Sequence, residues 1–130
     1  MTAIDPIEKE LNLVTACLDE HKAEDIFSID VRVSSPFASY AVIATASNPR
    51  LLGALQNHVE DDLEKNGFDI TVKEGEPDSG WVIIQGEEVI VHLMLPANRR
   101  VLDLETLLEQ VNNAHTPKKR RKKEEAGEQE

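Results

Sequence analysis

Apolar residues recur along the chain with two periods, and the order in which the periods alternate outlines a fold. Ile7, Leu11, Val14 and Leu18 are spaced four, three and four apart, which lines up one face of a helix. Asp5-Pro6-Ile7-Glu8 opens that helix, with Asp at the cap, Pro in the first turn and Glu three residues after the cap. Phe27, Ile29, Val31 and Val33 then alternate with Ser28, Asp30 and Arg32, the period of two of a strand with one wet face. Ser34-Ser35-Pro36-Phe37 breaks it. Tyr40 to Ala46 runs almost wholly apolar, as a strand buried on both faces does.

Asn48-Pro49 opens a second helix with Leu52, Leu55, Val59 and Leu63 as its inward stripe, and Asn66-Gly67 closes it at a left-handed position. Asp69 to Lys73 reads as a short strand carrying Ile70 and Val72. Trp81 to Gln85 and Val89 to Leu95 read as a hairpin joined through Gly86-Glu87-Glu88. Asp103 caps a final helix with Leu104, Leu107, Leu108 and Val111 inward. The order α-β-β-α-β-β-β-α, with a strand, helix and strand in the middle, predicts an α/β fold: a mixed five-stranded sheet flanked by helices.

Composition narrows the picture. The 130 residues are 40% hydrophobic, enough for one core, and only 4% aromatic, so aliphatic side chains must fill it. No apolar run approaches the ~20 residues of a membrane helix, so no membrane partner is expected. The chain begins with a helix cap rather than a secretory signal, and its single cysteine cannot form an internal disulfide, which fits a reducing cytoplasm. Cys17, on the first helical face beside Leu18, reads as an inert thiol with no His or Lys spaced to activate it.

Charge divides the chain. Up to residue 117 there are 8 Lys/Arg against 21 Asp/Glu; from Lys118 onward there are 6 basic and 4 acidic residues. An acidic body favours basic partners, including basic proteins that themselves sit on nucleic acid. The end of the chain lacks core-forming side chains. This gives one folded domain over residues 1–114 and a disordered charged tail over 115–130, with the basic cluster Lys118 to Lys123.

Catalytic chemistry finds little support. Ala44-Thr-Ala-Ser-Asn-Pro49 lies between a strand and a helix, where phosphate loops occur, but has no glycine, and Pro49 removes a donor. No Asp-x-Asp occurs to hold a metal on a strand; Asp103 and Glu105 have that spacing but fall at a helix start, where their side chains diverge. His92 has no Ser, Cys or Asp near it in sequence and reads as a hydrogen-bonded strand histidine. His21, His58 and His115 share no ligand spacing, so neither a metal nor a cofactor is expected.

The hairpin is the candidate functional surface. Trp81 shares a strand face with Ile83 and Gln85, and Glu74, Glu76, Asp78, Glu87 and Glu88 lie around it in sequence. An indole with aliphatic neighbours inside an acidic rim has the make-up of a protein-docking patch.

These residues carry a family resemblance. Ala23-Glu-Asp-Ile26 with Ile29-Asp-Val31, Tyr40-Ala-Val-Ile-Ala-Thr45 with Ser47 and Arg50, Glu74-Gly-Glu76, Ser79-Gly-Trp81, Val89-Ile-Val-His92, Met94, Arg99 and Leu104-Glu105 follow one another in the family's order. From Leu18 to Leu108 the chain resembles the Iojap family of ribosomal silencing factors (RsfS). The resemblance implies a mixed-sheet α/β domain, distantly like nucleotidyltransferases but without their catalytic carboxylates. It also implies binding to the large ribosomal subunit through its protein numbered fourteen, keeping the small subunit away and damping translation when nutrients run short.

Carried over by position, the docking candidates are Trp81, Met94 and the stretch from Arg99 to Glu105, which includes Arg100 and Leu102, with acidic Glu74, Glu76, Glu87 and Glu88 alongside. The chain departs from the family where Asp usually precedes the tryptophan (Gly80 here) and where Gly-Asp precedes the Val-Ile-Val-His run (Glu87-Glu88 here). It also departs at Leu102 and Leu108, where aromatics are common, at Val33-Ser34, where a Gly is usual, and at Ala46 in place of Gly. The basic tail lies outside the family pattern and reads either as a tether to ribosomal RNA or as a solubilising segment. A homodimer off the ribosome is a further association left open. Two alternatives stand beside silencing: a large-subunit assembly factor using the same site, and a divergent nucleotidyltransferase-like enzyme.

Overall fold

The structure, a computed structural model, describes residues 5–115. Its first helix, α1, spans Pro6–Glu20, and Asp5 caps it by accepting from the Ile7 N–H at 2.9 Å. Strand β1 (Glu24–Asp30) and strand β2 (Tyr40–Thr45) follow, then helix α2 (Pro49–Lys65), where Asn48 accepts from the Leu51 N–H at 2.8 Å. Strand β3 (Val72–Glu76), strand β4 (Trp81–Gln85) and strand β5 (Val89–Met94) complete a sheet of order β1-β2-β5-β4-β3. Only β2 and β5 are parallel; the other pairs are antiparallel, so the sheet is mixed as the sequence predicts. Helix α3 (Pro96–Leu102) and helix α4 (Leu104–His115) end the described chain. No helix among the described residues is long and apolar enough to cross a membrane.

Helices α1 and α2 cover one face of the sheet. Leu18, Leu52, Leu55 and Leu63 are fully buried there against Val42, Val82, Ile84, Val91 and Leu93. Each such leucine contributes about 1.5–3 kcal/mol relative to exposure. A smaller apolar cluster sits on the opposite face, where Val31, Ala38 and Ala41 pack with Ile29, Ile90 and Leu108. That second face is only partly covered.

The structure corrects four sequence expectations. First, β1 stops at Asp30, because the Asp30 carboxylate takes the Arg32 N–H and the Ser34 and Ser35 N–H groups turn back onto the Val31 carbonyl. Val31 is buried but Val33 is exposed, so their alternation does not continue the strand. Second, the strand expected at Asp69 to Lys73 begins at Val72 instead. Val72 faces Gln85, where β4 ends, and the hairpin turn beyond offers Asp69 and Ile70 no ladder partner. Third, residues 96–102 form α3, which lacks the apolar period that would have announced it. Fourth, Leu107 is half exposed while Leu104, Leu108 and Val111 are partly buried, so the last helix buries a narrower stripe than expected. The tail expected over 115–130 lies outside the described residues from Thr116 onward.

Candidate functional site

Cross-strand register places the candidate residues in rows. Residues directly opposite on adjacent strands share a face. Glu76 lies opposite Trp81, Trp81 opposite Met94, and Met94 beside Thr45. In the next row Glu74, Ile83, His92 and Ile43 follow in the same sense. All belong to the face that α1 and α2 leave uncovered. The exposed carboxylates of Glu74 and Glu76 therefore flank Ile83 and Trp81 on one surface.

Trp81 is half buried. Its indole N–H donates to His92 Nδ1 at 3.1 Å, with the two rings tilted by 36°. This bond makes His92 the Nε2–H tautomer. Burial holds the His92 pKa down at about 4, so the ring is neutral near pH 7. His92 is thus a hydrogen-bonded sheet histidine, as its setting in the sequence indicated.

Helix α3 forms the other wall. Ala97, Asn98, Val101 and Leu102 line a hollow of about 430 Å³ together with Trp81. Val101 is 83% exposed and Leu102 40% exposed, so this short helix carries an uncovered apolar ridge beside the indole. Arg99 fixes it. Its guanidinium donates to both Glu105 carboxylate oxygens at 2.9 Å and to Thr45 Oγ1 at 2.7 Å, tying α3 to α4 and to the end of β2. Asp103 joins the two helices in a left-handed conformation, φ 43°.

The candidates therefore divide. Trp81, Glu74, Glu76 and Leu102 share or border the open face, whereas exposed Arg100 lines a separate cleft with Glu24, Asp25, Phe27 and Thr45. Met94 is fully buried and supports the indole's neighbourhood from within, so it presents no contact surface of its own. Arg99 and Glu105 hold one another and act as positioning residues. Glu87 and Glu88 occupy the β4–β5 turn, at the far end of β4 from Trp81, roughly 13 Å along the strand at ~3.3 Å per residue. There the Glu87 carboxylate accepts from the Asp69 N–H and the Glu88 carboxylate from the Ser39 hydroxyl. They are not part of the rim around the indole.

One buried structural carboxylate escaped the sequence reading. Glu10, buried within α1, accepts from the N–H groups of Glu87, Glu88 and Val89 at 3.0, 2.9 and 3.1 Å. A Cβ at Gly86 would lie 2.3 Å from Glu10 Oε2, so glycine makes the room for this clamp. Position 10 lies three residues after Ile7 and four before Val14, on the inward stripe, but a charged side chain there reads as a solvated one, and nothing in the sequence links it to a turn 77 residues away.

The remaining candidates for chemistry are occupied structurally. Asn48, in the turn that resembled a phosphate loop, spends its side-chain oxygen on the helix cap. His21 does lie beside Cys17, one helical turn on, with Nδ1 3.8 Å from the sulfur, which corrects the expectation that no histidine is spaced to reach it. Burial nonetheless pushes the Cys17 thiol up to about 12, so it stays protonated. His21 stacks on His58 with ring centroids 3.7 Å apart, a contact that joins α1 to α2. Among the described residues no group of three or more His, Cys, Asp or Glu side chains is placed to hold a metal ion.

Comparison with known proteins assigns the chain to a family and a fold. A family model described as "Ribosomal silencing factor during starvation" matches residues 4–130. A ribosomal silencing factor RsfS from Chromobacterium violaceum is 33% identical over 101 residues, which cover 78% of this chain and 83% of that protein. A mouse protein named "Mitochondrial assembly of ribosomal large subunit protein 1" is 28% identical over 101 residues, covering 75% of this chain and 44% of that one. A crystal structure of a Chromobacterium violaceum protein superposes with a TM-score of 0.77 at 31% identity, over 81% of this chain and 88% of the other. The chain belongs to the ribosomal silencing factor family, a regulatory and non-enzymatic family.

Proposed function

We propose that the chain binds the large ribosomal subunit through the Trp81 face and thereby keeps the small subunit from joining, damping translation when nutrients run short. The observation that carries this reading is the juxtaposition of a half-buried indole, the exposed Val101 and Leu102 of α3, and the carboxylates of Glu74 and Glu76 on one face. Apolar anchors with acid beside them fit a basic protein partner, and the ribosomal protein numbered fourteen is the partner implied by the family resemblance. The action is steric: a domain parked on a joining surface excludes the second subunit without any chemistry, provided its affinity competes with subunit association.

Co-sedimentation tests the reading. The wild-type chain should travel with isolated large subunits and be depleted from assembled ribosomes. Trp81→Ala and Val101→Asp should each release it while far-UV circular dichroism stays unchanged. Binding by both variants at wild-type strength would remove this face from the reading.

A second reading rests on the mouse relative, whose name assigns it to assembly of the mitochondrial large subunit. An assembly factor using the same contacts would accumulate on immature large subunits. Pulse-labelled gradient fractions separate the two by the age of the particles bound. The basic cluster Lys118 to Lys123 serves in this proposal as an electrostatic tether to ribosomal RNA. Truncation after residue 117 should then flatten the salt dependence of binding.

A further inference from the structure

The open sheet face holds a second concavity, beyond the indole and away from α3. It is a groove of about 600 Å³, walled by Val31, Ala38, Ala41, Ile90, Leu108 and Val111. That volume lies within the usual range for binding pockets, and its lining is mostly apolar. Two polar side chains, both more than nine-tenths buried, reach into it: His92 at 8% exposure and Gln85 at 9%. Each spends one polar atom within the protein, His92 Nδ1 on the Trp81 indole and Gln85 Nε2 on the Phe37 carbonyl at 2.6 Å. Among the described residues, the other atom of each pair, His92 Nε2–H and Gln85 Oε1, has no hydrogen-bond partner. A buried donor and a buried acceptor left over on one floor are costly unless something binds them.

Their placement defines what fits. Gln85 lies opposite Ile90, and His92 is two residues further along β5 on the same face, a diagonal spacing of about 7 Å. One trans amide spans such a pair, its carbonyl accepting from the histidine and its N–H donating to the glutamine oxygen. Glu87 lines the groove as well, and the chain up to residue 117 carries 21 acidic against 8 basic residues, which disfavours an anionic occupant.

We propose that this groove is a second binding site, which takes an aliphatic peptide segment flanked by basic residues through one backbone amide held between His92 Nε2–H and Gln85 Oε1. The aliphatic side chains lie on the Ala41, Ile90 and Leu108 wall, and a flanking cation approaches Glu87. The groove is distinct from the α3 ridge proposed for ribosome binding. It shares only the Trp81–His92 hydrogen bond with the indole face, so the chain's single tryptophan reports on it.

The test uses the full chain and a capped peptide, acetyl-Lys-Leu-Val-Leu-Lys-amide, followed by amide chemical shifts and tryptophan fluorescence. Saturating shifts centred on Ala41, Gln85, Ile90 and His92, with a change in Trp81 emission, are expected at peptide concentrations up to ~1 mM. Methylating the nitrogen of the central amide should weaken binding at least tenfold. Replacing both lysines of the peptide by glutamates should do the same. His92→Phe and Gln85→Met should each weaken it severalfold, with thermal melts to confirm folding. Absence of saturable shifts, or shifts centred on α3, would overturn the proposal. So would equal binding of the methylated or acidic peptide, both of which need only the wild-type chain. Tighter binding of N-butylacetamide than of the peptide would assign the groove to small neutral amides instead, and would overturn the peptide site.

Discussion

The Trp81 indole N–H donates to His92 Nδ1 across the β4–β5 pair, so the half-buried tryptophan of the open face is held by a histidine that must stay neutral. A protonated imidazole has no lone pair at Nδ1 to accept this bond.

Stability should depend on that neutrality. His92 has its pKa held down at about 4 by burial, below the ~6.5 of an exposed histidine. Between those values the unfolded chain binds a proton that the folded chain does not. Stability from this group is therefore present above about pH 6.5 and is lost as pH falls toward 4, by up to about 3 kcal/mol. Thermal melts from pH 7 to pH 4.5 should show the loss, and His92→Gln should flatten that part of the profile. A melting temperature that rises on acidification over this range, in wild type but not in the variant, would reverse the assignment.

Glu10 gives the second prediction. Its carboxylate satisfies three backbone donors of the β4–β5 turn, and Gly86 leaves it room. Burial raises its pKa, opposed by those three hydrogen bonds. Glu10→Ala would leave the donors buried without partners, at about 1–3 kcal/mol for each one that water cannot reach. Glu10→Gln keeps the shape but leaves one acceptor oxygen where Glu10 uses two, and should cost less. Denaturant melts should rank wild type above Gln above Ala. Equal stability of Ala and Gln would mean that water takes over the turn.

Most of the frame was legible in the sequence because local chemistry dictates it. The Asp5-Pro6 and Asn48-Pro49 caps, the stop at Asn66-Gly67 and the Trp81 to Gln85 strand all lie where spacing and turn residues put them. What was not legible depends on partners distant in sequence. The start of β3 at Val72 is set by where β4 ends, and α3 is held by Arg99 reaching Thr45 and Glu105. The candidate face was half legible for the same reason. Period-two reading put Trp81 and Ile83 together, but sequence proximity also drew in Glu87 and Glu88, which the hairpin carries to the opposite end, and Met94, which ends up buried.

Gly80 is a place where a left-handed backbone and a close side chain can be tested together. It sits at φ 86°, and a Cβ there would meet the Asn98 side chain, with Oδ1 at 2.3 Å. Asn98 donates to the Ser79 carbonyl at 3.2 Å, so the amide is held against the glycine. Gly80→Asp should destabilise by about 1–2 kcal/mol through the left-handed backbone and the displaced amide. Asn98→Ala removes the clash but not the backbone strain, so the double variant should recover part of the loss. A fully additive double-mutant cycle would separate the two residues energetically.

The last prediction concerns how α3 is held. Arg99 makes three charge-assisted bonds that a lysine cannot reproduce, because an ammonium lacks the planar fork that meets both Glu105 oxygens while a third nitrogen reaches Thr45. The Arg99 side chain is only 11% exposed, so the pair is screened less than a surface ion pair. Arg99→Lys should therefore cost about 1–2 kcal/mol in global stability. It should also raise amide hydrogen exchange over residues 96–102 more than elsewhere, because α3 has no buried residue of its own to hold it. Ribosome binding should weaken with it even though Arg99 is turned inward, since Val101 and Leu102 would lose their fixed place beside Trp81. Exchange that rises uniformly over the sheet would show instead that the fork serves the whole fold and not the ridge.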